Sequence, residues 1–283
     1  MMQPLNLFDE TFDQDRTASY ILSIQACLDG FYFAIFDTVR NTYIGLIVHP
    51  VTEQVYRNDG FVEIFTGLEK EYPWIKCEFK EVWFSFLQSS FTVAPKSFVN
   101  ETSAKKIFET VHVLEDNRQL QIFNCNNGVE VSIIYDLPTV LANDWLKLQP
   151  KTNFIPAVLP LCDSSKIVEN EISFNASIQN ETLLFSAFDG EKLLLANSYA
   201  CKNPTDITYY LLSVASALKA DVKQVNLFLL GSSEFVSKQH ELATAFKKYN
   251  TIATYRRAIL FTYRLLRYRS EFYNLFAQPF VCE

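Results

Sequence analysis

Ile21-Leu22-Ser23-Ile24-Gln25-Ala26, then Asp29-Gly30, then Phe31-Tyr32-Phe33-Ala34-Ile35-Phe36-Asp37 and Tyr43-Ile44-Gly45-Leu46-Ile47-Val48 read as three strands joined by tight turns. The same order returns in Ile172-Ser173-Phe174-Asn175-Ala176-Ser177-Ile178, Leu184-Phe185-Ser186-Ala187-Phe188-Asp189-Gly190 and Lys192-Leu193-Leu194-Leu195-Ala196. Each triplet is followed by a helix-like segment, over 60–72 and 206–219, and then by an apolar strand, over 82–87 and 225–230. Self-similarity of this kind predicts one α/β construction built twice, giving two lobes with mixed sheets.

Composition agrees with two packed cores. Hydrophobic residues make up 49% of the 283, ample for burial, and 25 Phe, 14 Tyr and 3 Trp against only 7 Gly describe a strand-rich interior rather than glycine loops around phosphates. The longest charge-free apolar stretches, 82–95 and 207–218, fall short of the roughly 18 residues a membrane span needs, and the acidic start of the chain lacks the basic-then-apolar run of a signal peptide. A cytoplasmic location is expected. Cys27, Cys77, Cys125, Cys162, Cys201 and Cys282 are scattered, without a Cys-x-x-Cys pair, as buried reduced thiols are.

Along the chain, residues 1–18 are polar and acidic, as in a loosely attached terminal arm. A first lobe over 19–160 is expected to contain an insertion at about 97–150: a short helix over 104–111, a hairpin around Asn126-Asn127-Gly128, and a helix begun by Pro138. A boundary is expected at Asp163-Ser164-Ser165, with a second lobe over 161–283. In its first strand Phe174, Ala176 and Ile178 alternate with Ser173, Asn175, Ser177 and Gln179, which predicts one core face and one solvent face. Asp206 or Thr205 is placed to cap the next helix.

The duplicated order resembles the actin-like, ribonuclease H-like superfamily of sugar kinases, heat-shock chaperones and actins. The runs 193–199 and 206–212, with Phe272-Tyr273-Asn274-Leu275-Phe276 near the end, resemble an uncharacterised bacterial family, domain of unknown function 3822. That resemblance implies the actin-like fold and no activity. Superfamily members that hydrolyse ATP carry an Asp-x-Gly-Thr/Ser loop in each first hairpin, where backbone N–H groups approach phosphate and the carboxylate helps hold Mg²⁺. Here Gln25 stands where the first acid belongs, Asp29 directly precedes Gly30, and the second hairpin, Ser177-Ile178-Gln179-Asn180-Glu181-Thr182, has no glycine. Gly231-Ser232-Ser233, after the strand over 225–230, resembles the superfamily's adenosine loop and serves equally well as a strand-to-helix turn.

No other nucleotide or hydrolase signature occurs, and His49, His112 and His240 are isolated in sequence. The residues therefore point to a non-catalytic binding or scaffold module with a protein partner and no cofactor. The alternative is an ATPase using ATP and Mg²⁺ through atypical loops, for which Asp29, Asp37 and Asp189 are the hairpin acids available. Charge offers a third reading. Residues 1–150 carry a net −9 and the rest +2, with Arg256, Arg257, Arg264, Arg267 and Arg269 clustered late in the chain. Such a run suits a solvated face, a contact with the acidic half, or an anionic partner such as RNA.

Overall fold

The computed structural model describes residues 4–51, 61–125, 130–162, 171–231, 236, 239–246, 248–251 and 259–280. Strands β2 (Tyr20–Cys27), β3 (Gly30–Asp37) and β4 (Thr42–Pro50) form an antiparallel meander; β5 (Glu81–Phe86) adds parallel to β2, and β9 (Thr152–Pro156) parallel to β5. The second sheet repeats this path. Strands β10 (Ile172–Gln179), β11 (Thr182–Asp189) and β12 (Lys192–Ala200) form its meander, while β13 (Asn226–Leu230) and β14 (Lys248–Asn250) follow in parallel. The orders β4-β3-β2-β5-β9 and β12-β11-β10-β13-β14 coincide. So do their irregularities: the register slips between Ile35 and Phe36 in one meander and between Ala187 and Phe188 in the other, the same place in each strand. A bulge adds one residue and sharpens local twist, so its recurrence is a feature of the repeated unit.

Helix α1 (Phe61–Glu71) buries Phe61, Ile64, Phe65 and Leu68, a stripe at helical spacing, and Pro73 begins the 3-10 turn that follows. The inserted unit is a three-stranded sheet, β6 (Phe91–Pro95), β8 (Val131–Pro138) and β7 (Arg118–Asn124), carrying helix α2 (Glu101–Glu109). Asn100 caps α2 by accepting from the N–H groups of Thr102 and Ser103. Strand β6 lies before the segment expected to be inserted. Helix α3 (Thr139–Leu148), expected within it, packs instead on the main sheet, where Trp145 meets Phe65 at 5.5 Å and Phe84 at 5.4 Å. The Asn126-Asn127-Gly128 turn and the expected boundary at 163–165 lie outside the described residues.

Four further expectations are corrected. The terminal arm is not loose: β1 (Leu5–Phe8) pairs with β4, and Phe8 and Phe12 pack against Trp74 at 5.9 and 6.1 Å. Helix α4 (Pro204–Ala217) is capped by Asn203, and Asp206 reaches back to the N–H groups of Lys202 and Asn203. The polar face of β10 is buried: Ser173, Asn175, Ser177 and Gln179 are 0%, 1%, 2% and 7% exposed. Helix α5 (His240–Ala245) and β14 complete the second sheet's side, and beyond them the chain end returns to the first: β15 (Leu260–Phe261) pairs with β4, and α6 (Tyr273–Ala277) lies against β2, β3 and the 3-10 turn Leu159–Leu161.

That placement explains the buried polar face. On β11, Leu184 and Phe188 share the inner side of the second sheet with Ser186 and join the core cluster containing Leu159, Leu161, Tyr273 and Phe276. The outer side has its own core against α4, from Phe174, Phe185, Ile207 and Leu211. Each lobe's sheet is thus covered on both faces, and α6 lies in the inter-lobe layer. The Tyr43 hydroxyl donates to the Phe276 carbonyl, and Tyr273 donates to that of Pro160 at 3.1 Å. Replacing Phe276, which is fully buried against Tyr43 at 4.6 Å and Phe261 at 5.1 Å, by Ala should cost about 3–5 kcal/mol in urea unfolding monitored by fluorescence. A cost below about 1 kcal/mol would mean that the inter-lobe helix does not hold the fold.

Candidate functional site

In both copies the first hairpin ends at the junction between lobes, and the two tips touch. The first turn is Leu28-Asp29, one residue earlier than the expected Asp29-Gly30, since Cys27 pairs with Gly30. Gly30 has a φ of +155°, and a Cβ there would collide with the His49 carbonyl oxygen, so this glycine lets β3 pass close to β4. The second turn is Asn180-Glu181, both residues left-handed at φ 49° and 57°, the geometry of a two-residue hairpin loop. Glutamate carries strain there that glycine would not.

Side chains bridge the lobes where these tips meet. Asn180 Nδ2 donates to Asp29 Oδ1 at 2.6 Å and to Tyr32 Oη at 3.2 Å, and Tyr32 donates to the same carboxylate oxygen at 2.8 Å. One pleat deeper, Gln25 Nε2 donates to Gln179 Oε1 at 2.7 Å, with Gln25 fully buried. Beside it, Gln278, which follows α6 directly, donates to Ser85 Oγ at 2.8 Å and to the Ile24 carbonyl at 3.2 Å. Asn175 and Ser186 of the second lobe both donate to the Leu161 carbonyl, at 3.4 and 2.5 Å. A continuous polar seam therefore joins the inner faces of the two sheets.

Burial dominates the electrostatics of this seam. It pushes the Asp29 carboxyl up, although the hydrogen bonds from Tyr32 and Asn180 pull the other way. The Cys27 thiol and the Tyr32 phenol are raised for the same first cause, so neither ionises readily. The other candidate acids are elsewhere. Asp37, at the opposite end of β3, accepts from the N–H groups of Val39 and Arg40, and Asp189 is exposed at the end of β11. The three carboxylates do not converge. Among the described residues no group of three or more His, Cys, Asp or Glu is placed to hold a metal ion.

The residues do not fit a nucleotide triphosphate. The space between the hairpin tips is spanned by side-chain hydrogen bonds, the second tip has no glycine, and the side of Gly231 where a Cβ would stand is filled by Ile178 Cγ2 at 2.6 Å. Gly231 thus packs the end of β13 onto β10, while Ser232 and Ser233 lie outside the described residues. Of the basic run, Arg256 and Arg257 also lie outside them; Lys248, on β14, pairs with Glu171 at 3.7 Å, whereas Arg264 and Arg267 border a groove beside β1. Among the described residues, Lys248 therefore stands on the second sheet and Arg264 and Arg267 beside the first. Gln25 and Asn180 were visible in the sequence as departures from a phosphate loop, but their cross-lobe partners Gln179 and Asp29 follow only from the fold.

A family described as "Protein of unknown function (DUF3822)" matches residues 9–252. A crystal structure from Bacteroides thetaiotaomicron VPI-5482, of a protein with actin-like ATPase fold and unknown function, is similar with a TM-score of 0.77 and 23% identity over 86% of this chain and 94% of that one. The PilM-PilN type IV pilus biogenesis complex contains a chain similar at a TM-score of 0.55 and 10% identity, over 91% of this chain and 97% of that one. No curated protein sequence matches. The fold is actin-like, and at these identities the likeness extends to the fold alone.

The raised Asp29 carboxyl has a defined pH signature. Its stabilising contribution is complete below the unfolded pKa of about 3.9 and is lost as pH rises through the higher folded value. Asp29→Asn, which keeps an acceptor for Tyr32 and Asn180, should flatten that fall and be at least as stable as the parent at pH 8. An unchanged pH slope in urea unfolding of the variant would assign the fall to another group.

Proposed function

The chain belongs to the DUF3822 family of unknown function, and from that premise we propose that it is a cytoplasmic binding or scaffold module whose actin-like cleft is closed by its own side chains. One observation carries this reading: the hydrogen bonds of Gln25 with Gln179 and of Asn180 with Asp29 span the lobe junction where superfamily ATPases are expected to hold phosphate. A phosphate there would have to displace four partnered polar groups and face the Asp29 carboxylate. Replacing a made, buried hydrogen bond by an imperfect one costs about 1–3 kcal/mol per group, more for a charge. Among the described residues no helix is long and apolar enough to cross a membrane, which accords with the proposed location.

A protein partner is the occupant this reading favours. The PilM-PilN complex supports it by analogy, since its description pairs a chain of similar fold with a second protein. Thermal unfolding with and without MgATP tests the proposal, because a ligand bound only to the folded state must raise stability by RT ln(1 + [L]/Kd). The expected result is no shift at millimolar MgATP and no phosphate release above the blank. A shift abolished by Gly231→Arg would overturn the proposal in favour of an ATPase with atypical loops.

A further inference from the structure

Near the chain's end, an anchored segment turns apolar side chains outward. Strand β15 is fixed to β4 by the N–H groups of Leu260 and Thr262, which donate to the carbonyls of Asn41 and Tyr43 at 3.1 and 3.3 Å. Phe261 stacks on Tyr43 at 5.3 Å, and Leu265 is 1% exposed in the core. Between these anchors and just beyond them, Leu260, Tyr263 and Leu266 are 58%, 94% and 46% exposed. Pinned on both sides, the segment cannot fold those side chains inward, so their exposure is built into the fold. Concentrated exposed apolar surface of this kind marks an interaction site.

Tyr263, Arg264, Leu266 and Arg267 line a groove of about 430 Å³ whose other wall is Leu7 of β1. Among the described residues, Tyr263 and Arg264 have no hydrogen-bond, ion-pair or ring partner. Arg267 is held in place, its Nη2 donating to Tyr268 Oη at 2.6 Å and its guanidinium 4.6 Å over that ring; Glu271 is the acid whose field reaches it. Strand β1 is the last in its sheet order and pairs with β4 alone, so among the described residues its second edge is open beside this groove. An open edge supplies backbone donors and acceptors for one more strand.

We propose that this groove binds an acidic, extended polypeptide segment of a partner protein, which lays its backbone along β1, sets an apolar side chain between Leu7 and Tyr263, and places carboxylates on Arg264 and Arg267. The inference rests on the reading of the chain as a protein-binding module. Charge complementarity selects the occupant: two guanidiniums face the groove, and tyrosine and arginine are the residue types that dominate binding hot spots. An anionic membrane is a poorer match. The whole chain carries −7, and residues 1–150 carry −9, so a large anionic plane is repelled, whereas a short acidic segment in a concave site lies against the two arginines that line it.

Fluorescence anisotropy with three labelled dodecapeptides tests this: one alternating Glu with Leu and Phe, one with Gln in place of Glu, and one with Ser in place of Leu and Phe. The acidic apolar peptide should bind at least about tenfold more tightly than either control and weaken with added salt. Tyr263→Ala and Arg264→Glu, both surface changes, should each weaken it about tenfold or more, while Lys248→Glu on the other sheet leaves it unchanged. Equal affinity for the three peptides, indifference to the two groove variants, or tighter binding to phosphatidylglycerol vesicles or an RNA dodecamer would overturn the proposal. Thermal unfolding with MgATP on the same samples separates the two failures: lost peptide discrimination without nucleotide stabilisation rejects the groove alone, and nucleotide stabilisation rejects the scaffold reading.

Discussion

The amide–amide bond between Gln25 and Gln179 constrains everything around it, because neither side chain reaches water. Two sheets that met through apolar faces alone could slide or part with little preference for register. A buried amide N–H needs an acceptor of matching geometry at a matching height, so the Gln25 Nε2 to Gln179 Oε1 bond fixes how β2 and β10 stand relative to each other, while Gln25 Oε1 and Gln179 Nε2 are buried without a partner among the described residues. The tips above it follow: Asn180 reaches Asp29 because the strands below are held in step. Beside it, Gln278 extends the same network onto the chain end and ties the inter-lobe helix to β2 and β5.

Duplication accounts for the symmetry of this arrangement and its additions account for the asymmetry. Both lobes share the strand path and the bulge, so each brings a central strand whose inner face is polar and whose hairpin points to the junction. The first lobe also carries the three-stranded unit, whose strands β7 and β8 are tied to each other by the bidentate contact of Arg118 with Asp136 at 2.5 and 2.7 Å. It gains strands from both ends of the chain, β1 and β15. Those additions cover one side of β4 and, among the described residues, leave the outer edge of β1 unpaired near a groove lined by Tyr263, Arg264 and Arg267.

Local pattern was enough to read the two meanders and the helices that follow them, because period and turn chemistry are properties of neighbouring residues. It failed where a second layer decides the outcome. The alternation in β10 predicts a polar side but not whether water or another lobe lies against it, and Ser173 and Gln179 turned out to be buried. Strand β1 offers only Leu5 and Leu7 in alternation, too short a signal to distinguish from a loose arm. Strand β6 is separated from β5 by only Leu87-Gln88-Ser89-Ser90, and its five residues are too few to show that they join another sheet. At the junction, Gln25 and Asn180 were legible as residues that a phosphate loop would not have; that they belong to a closure required the distance between residues remote in sequence.

On the proposed reading, the actin-like architecture is kept while groups at the junction bond each other across the lobes. What distinguishes a closed junction from a merely unloaded one is whether the cross-lobe amides contribute energy together. A double-mutant cycle of Gln25→Ala and Gln179→Ala, followed by urea unfolding, measures this directly. The account predicts that the double variant is more stable than the sum of the single losses by about 1 kcal/mol or more, because each single change strands a buried amide that the double change removes. Losses that add to within about 0.3–0.5 kcal/mol would contradict it.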